Sequence, residues 1–149
     1  MDALGKLYSS TTIVTVNAWG KMNGCAVAWI TRVSLEPPMI AVSIGKQRYT
    51  HELMSLTDHF GVCIMLPDAR KTISIFGSKT GRYYNKFDGI DYKLSDNDVP
   101  ILPGSLAFIE CKTRGKLDAG DHTIFVGEVI HQKVLKDSKP LLYGEGRML

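Results

Sequence analysis

NGCAVAWITRVSLEPPMIAVSIGKQRYT, residues 23–50, is the stretch on which the reading of the fold turns. Two apolar, β-rich runs are joined through Glu36-Pro37-Pro38, and a glycine-started basic loop then enters a short helix. Small side chains at Gly24, Cys25, Ala26 and Ala28 sit among Trp29, Ile30 and Thr31, so the backbone there can approach a flat ligand closely. The loop Gly45-Lys46-Gln47-Arg48-Tyr49-Thr50 brings two cations and a hydroxyl to a helix start, chemistry suited to a phosphate. A flat apolar surface beside an anion site predicts a phosphorylated planar ligand.

Outward from this stretch, Leu7 to Trp19 is rich in Thr, Val and Ile and reads as a first strand. Turn chemistry at residues 19–24 leads to a second strand over Cys25 to Val33. Proline, which cannot donate to a ladder, stops it, and Met39 to Ile44 resumes as a third. Thr50 is placed to cap a helix over HELMSL, with Glu52 in its first turn. Phe60 to Leu66 is a further strand, after which Asp68 is placed to cap the helix ARKTISIF, with Gly77 past its end. Residues 78–104 are polar and irregular and read as a long surface excursion. Ser105 to Lys116 and Thr123 to Val134 are long strand-like runs joined by a turn-rich segment, Leu117 to His122. About six strands, two short helices and connections too short for βαβ crossovers predict an antiparallel, closed or half-closed barrel. Long runs such as 105–116 call for closure or dimerisation to hide their edges.

At 149 residues the chain is long enough for one domain with a proper core, expected to span 1–149. Hydrophobic content of 44% with 22% charged residues argues against extensive disorder. A net charge of +3 suits anionic small molecules and is too weak for nucleic acid. No apolar run reaches membrane-spanning length, and the N-terminal residues lack the order of a signal peptide. Cys25, Cys63 and Cys111 are odd in number and widely spaced, which predicts buried free thiols in a reducing cytoplasm and no metal site.

Five blocks follow one another along the chain: NGxxxxWxTxxSxxPP at 23–38, VxIGKxRYT at 42–50, FGSKTGR…NKF at 76–87, GDHTIFVGEV at 120–129 and PLLYGEGR at 140–147. With these blocks the chain resembles the flavin reductase-like, FMN-binding split-barrel family, which includes flavoredoxins and the reductase partners of flavin-dependent monooxygenases. The resemblance implies a mainly β, antiparallel Greek-key split barrel with two or more short helices that forms a homodimer, flavin lying near the interface. It implies that Asn23 binds the cofactor and that Ala28, Trp29, Ile30, Thr31 and Ser34 face the isoalloxazine and ribityl groups. Lys46, Arg48, Tyr49 and Thr50 would surround the phosphate, with Ser78, Gly81 and Lys86 approaching it. His122 resembles the family histidine near the flavin's reactive face, where a nicotinamide would stack.

Set beside the resemblance, the residues alone leave alternatives open. Trp29 and Ile30 read as core side chains, so the functional claim there rests on the backbone of Ala28 to Thr31. His122 reads as a loop histidine bonded to Asp121. His51 and His59 have no third ligand at useful spacing for a metal. There is no GxGxxG, no P-loop and no GxSxG elbow, and hydride transfer through a flavin needs none of them.

The expectation is a cytoplasmic flavoprotein that passes a hydride from NADH or NADPH to FMN, with FAD as the alternative cofactor. Electrons then go to free flavin, a metal ion, a partner monooxygenase or an electron-transfer protein. The rivals are a flavoredoxin-type electron carrier without direct NAD(P)H use, a non-enzymatic planar-ligand-binding barrel, and a pyridoxamine phosphate oxidase-like enzyme.

Overall fold

The computed structural model describes residues 2–149. A 3-10 helix, Ala3–Lys6, precedes twelve strands and two α-helices. The strands are β1 (Ser9–Ser10), β2 (Thr12–Ala18), β3 (Lys21–Val27), β4 (Ile30–Ser34), β5 (Met39–Gly45), β6 (His59–Met65), β7 (Lys93–Leu94), β8 (Pro100–Ile101), β9 (Ser105–Ala119), β10 (His122–Val134), β11 (Leu142–Gly144) and β12 (Arg147–Met148). The helices are α1 (Tyr49–Met54) and α2 (Arg70–Ser78).

Seven strands form one sheet in the order β3-β2-β6-β9-β10-β5-β4, and every pairing in it is antiparallel. Its two edges, β3 and β4, are consecutive in sequence and joined only by Ala28 and Trp29. A sheet whose edges are tied by two residues must curl until they meet. The result is a half-closed barrel, mainly β, as the strand pattern predicts.

Period-two alternation sends neighbouring residues of the central strands to opposite faces. Val14 and Val62 enter the barrel interior with Ile44, Phe60, Cys111 and Phe125, under α1. Ile13 and Cys63 face outward into a second core with Ile73 and Phe76 of α2 and with Phe87, Leu102 and Phe108. Both faces of β2 are therefore apolar, which is why its sequence does not alternate. All three cysteines are free and buried.

Several local readings are corrected. The first strand breaks at Thr11, whose N–H is drawn aside to the Leu141 carbonyl at 2.7 Å. The run over 25–33 divides at Ala28-Trp29, the corner between the sheet edges. Thr50 does not cap α1: Arg48 precedes the helix, and Thr50 is buried in its first turn. Asp68 does not cap α2, which starts after Ala69 and runs through Gly77 to Ser78, because the last-turn carbonyls find cationic partners described below. The excursion at 78–104 carries a small ladder of β7 on β8. The β9–β10 hairpin is tighter than expected, with Gly120 and Asp121 alone between the strands and φ +65° at Gly120.

Candidate functional site

The basic loop is fastened at both ends. Gly45, the last residue of β5, pairs with His122, the first of β10, and the Lys46 N–H donates to the Asp121 carbonyl at 3.0 Å. The Lys46 ammonium turns to the hairpin, donating to the Gly120 carbonyl at 2.7 Å and pairing with Asp118. Arg48 turns the other way and donates from Nη1 to the Gly77 carbonyl at 3.2 Å. The two cations of the loop thus diverge, and Arg48 is the one that faces α2.

Lys86 reaches the same helix end from the excursion. Only 3% exposed, it donates from Nζ to the Phe76 carbonyl at 3.1 Å and the Gly24 carbonyl at 2.8 Å. Among the described residues neither Lys86 nor Arg48 has a carboxylate partner within ion-pair distance. Burial pushes the Lys86 ammonium down from 10.5 to about 8, opposed by Cys25 and reinforced by Arg48. A cation this deeply buried without a counter-ion favours an anion beside it.

Asn23 and Thr50 complete this wall. The Asn23 side-chain amide donates to Thr50 Oγ1 at 3.0 Å, with both residues buried. Gly81 lies against the same asparagine, and a Cβ there would stand 2.3 Å from Asn23 Oδ1. Only glycine brings the 78–82 backbone this close.

At the opposite wall Trp29 corrects the sequence reading. Its side chain is not core but 62% exposed, while Ile30 packs against the barrel interior. The corner at Ala28-Trp29 lies between strands, where alternation no longer dictates which face a side chain takes. Trp29 lies against the His122 ring at 4.7 Å between centroids, tilted by 41°. His122 Nδ1 is 2.7 Å from Asp121 Oδ1, and that hydrogen bond, with the charge of His122, holds the Asp121 carboxyl below its usual range.

These walls enclose a cavity of about 1120 Å³. It brings together Asn23, Ala28, Trp29, Lys46, Arg48, Tyr49, Thr50, Ser78, Gly81, Lys86 and His122. Ile30, Thr31 and Ser34 do not line it, because β4 carries them past the Trp29 corner onto the pairing with β5. Thr11, Ile73, Tyr143 and Met148 do line it and were missed by sequence reasoning. Tyr143 falls in the PLLYGEGR block, a usable signal; Thr11 carries none. The Thr11 hydroxyl is buried without a hydrogen-bond partner among the described residues, so a polar ligand atom would satisfy it.

Neither His51 nor His59 lines this cavity. His51 Nε2 lies 2.7 Å from Thr123 Oγ1, its ring meets Phe125 edge-on, and burial lowers its pKa, helped by Lys116 and Lys46. His59 pairs with Asp58. Among the described residues no three metal-binding side chains converge.

Comparison with known proteins gives a consistent picture. The model of the flavin reductase like domain matches residues 4–149. A high molecular weight rubredoxin of Moorella thermoacetica is 36% identical over 95% of the chain, which spans 62% of that longer protein. The FMN reductase (NADH) SmoA of Agrobacterium fabrum is 34% identical over 97% of the chain and 80% of its own length. Among solved structures, the NADH:FAD oxidoreductase SgcE6 of Streptomyces globisporus superposes with a TM-score of 0.90 at 29% identity, covering 97% of this chain and 86% of that one.

Proposed function

Since the chain belongs to the flavin reductase-like domain family, we propose that it is a flavin-binding oxidoreductase that passes a hydride from NADH or NADPH to FMN. The observation that carries the reading is the pair Lys86 and Arg48, two cations without carboxylate partners that border one cavity beside an exposed indole. The donor set fits the cofactor: cations, Ser78 and the Asn23–Thr50 wall suit a phosphate, and a flat region at Ala28 and Trp29 suits a ring system. FAD is the alternative, and both flavins figure in the names of the relatives.

Bound flavin supplies the hydride-accepting ring, so the chain needs no nucleophile of its own. Its residues bind and orient. Arg48 and Lys86 hold the anionic tail, Asn23 and Thr50 fix the floor beneath it, and Asp121 fixes the His122 ring at the mouth. A nicotinamide held against the flavin beside His122 and Trp29 would react as if unimolecular. We further propose that the domain spans the whole chain, that two copies associate with the flavin near their interface, and that a partner monooxygenase, free flavin, a metal or an electron-transfer protein takes the electrons. A cytoplasmic setting accords with three buried free thiols.

The test is spectroscopic. Protein reconstituted with FMN should be yellow and should bleach on anaerobic addition of NADH or NADPH. A protein that leaves FMN fluorescence unquenched overturns the proposal, and a bound flavin that stays yellow makes the chain an electron carrier instead.

A further inference from the structure

Thr11 stands in the break between β1 and β2, and both of its peptide groups are engaged. Its N–H donates to the Leu141 carbonyl at 2.7 Å, and its carbonyl accepts from the Met65 N–H at 3.1 Å. With the backbone held on both sides, and a β-branched side chain stiff at χ1, the direction of the hydroxyl is largely set. Its neighbour Thr12 pairs with Val27 and donates its own hydroxyl to the Val27 carbonyl at 2.5 Å. The two adjacent threonines therefore differ. Thr12 is satisfied within the fold, whereas Thr11 Oγ1 has no partner among the described residues although Thr11 is only 4% exposed. Thr11 borders the cavity where the Thr12–Val27 pair gives way to Ala28 and Trp29, the flat region. The cations Arg48 and Lys86 lie elsewhere, at the Gly77 and Phe76 carbonyls near the end of α2.

We propose that Thr11 is a positioning residue for the flavin ring, its hydroxyl donating a hydrogen bond to the ring's polar edge and raising the reduction potential of the bound flavin. The inference rests on the flavin reading and adds to it a residue outside all five sequence blocks. Two-electron reduction puts negative charge on the edge of the ring that carries nitrogen and oxygen. A donor there holds the reduced form more tightly than the oxidised one. A hydroxyl with no partner in the fold gives up nothing when the ligand arrives, so the whole hydrogen bond is gained. Thr11 keeps its proton throughout and takes no part in the hydride transfer itself.

Thr11→Val keeps the shape and removes the hydroxyl, and Thr11→Ser keeps the hydroxyl. Fluorescence titrations of the whole protein with FMN and with lumiflavin, the ring without its ribityl phosphate, separate the ring from its tail. Thr11→Val should weaken both ligands by the same factor, about threefold to tenfold, and Thr11→Ser should bind close to wild type. The two-electron midpoint potential of bound FMN should fall by about 30 mV in Thr11→Val, a tenfold loss of preference for the reduced ring, and recover in Thr11→Ser. Ligand-free Thr11→Val should melt no lower than wild type, because the lost hydroxyl has no partner in the fold. Unchanged affinity and potential in Thr11→Val overturn the inference and leave the flavin reading standing. A loss confined to FMN also overturns it, by assigning the hydroxyl to the tail. Wild-type protein that binds neither FMN nor lumiflavin overturns the flavin reading and the inference with it.

Discussion

Arg48 and Lys86 meet at the C-terminal turn of α2, where Arg48 caps the Gly77 carbonyl at 3.2 Å and Lys86 the Phe76 carbonyl at 3.1 Å. The helix end attracts cations to its unpaired carbonyls and offsets only part of their charge. What remains is positive potential at the cavity wall, set in place before any ligand arrives. The α2 terminus is thus a cation holder for an anion site.

The Lys86 pKa makes that potential depend on pH. In the folded protein the ammonium loses its proton near pH 8, against 10.5 in the unfolded chain. The unfolded chain therefore holds more protons between those values, and the ligand-free protein should grow more stable as pH rises through that window. An anion that favours the charged form binds with proton uptake above pH 8, so FMN affinity should fall there, approaching about tenfold per pH unit. Riboflavin, which lacks the phosphate, should show no such slope, and Lys86→Met should abolish it for FMN. Fluorescence-quenching titrations on either side of pH 8 measure all three.

The Asn23–Thr50 hydrogen bond ties β3 to α1 beneath the same wall, with 2% and 0% exposure at its ends. Thr50→Val preserves shape but leaves the buried Asn23 amide unpaired, at a cost of about 1–3 kcal/mol. The melting temperature should drop accordingly. Gly81→Ala should leave the barrel intact yet weaken FMN, because its Cβ must push Asn23 away from a 2.3 Å approach. A Gly81→Ala protein with wild-type FMN affinity would show that this loop does not border the ligand.

Long periodic stretches made the barrel legible. β5, β6, β9 and β10 fall within a few residues of their predicted spans because their apolar runs are continuous and bounded by Pro, Gly or Asp. Lys86 was marked by its block, but its burial was not, because that depends on carbonyls from β3 and α2 that are far away in sequence. Thr50 reads locally as a cap, and only its long-range partner Asn23 turns it inward. Trp29 was misread for the opposite reason: a corner between sheet edges frees an aromatic that any alternating pattern would bury.

Lys46 and Arg48 look equivalent in sequence and are not equivalent in place. Lys46 is already engaged by Asp118 and the Gly120 carbonyl, whereas Arg48 has only a carbonyl to give up. Arg48→Ala should therefore weaken FMN by about tenfold to a hundredfold, the range for a hydrogen bond to a charged group. Lys46→Ala should cost much less in FMN affinity and chiefly loosen the hairpin at Asp118. Equal losses in the two variants, measured by titration calorimetry, would show that Lys46 leaves its partners when ligand binds.

Trp19 and Trp29 are the chain's two tryptophans, which turns the cavity mouth into its own reporter. Both are exposed, at 83% and 62%, but Trp29 alone lines the cavity, against His122. FMN binding should quench indole emission, and the quench should survive Trp19→Phe and largely vanish in Trp29→Phe. Trp29→Ala should also alter hydride transfer more than flavin retention, because the indole supports the His122 ring and not the phosphate end. Stopped-flow reduction by NADH, followed at the flavin band, should then slow while the Kd for FMN holds. A variant in which affinity falls and the reduction rate holds would place the indole under the flavin ring and not at the donor's entrance.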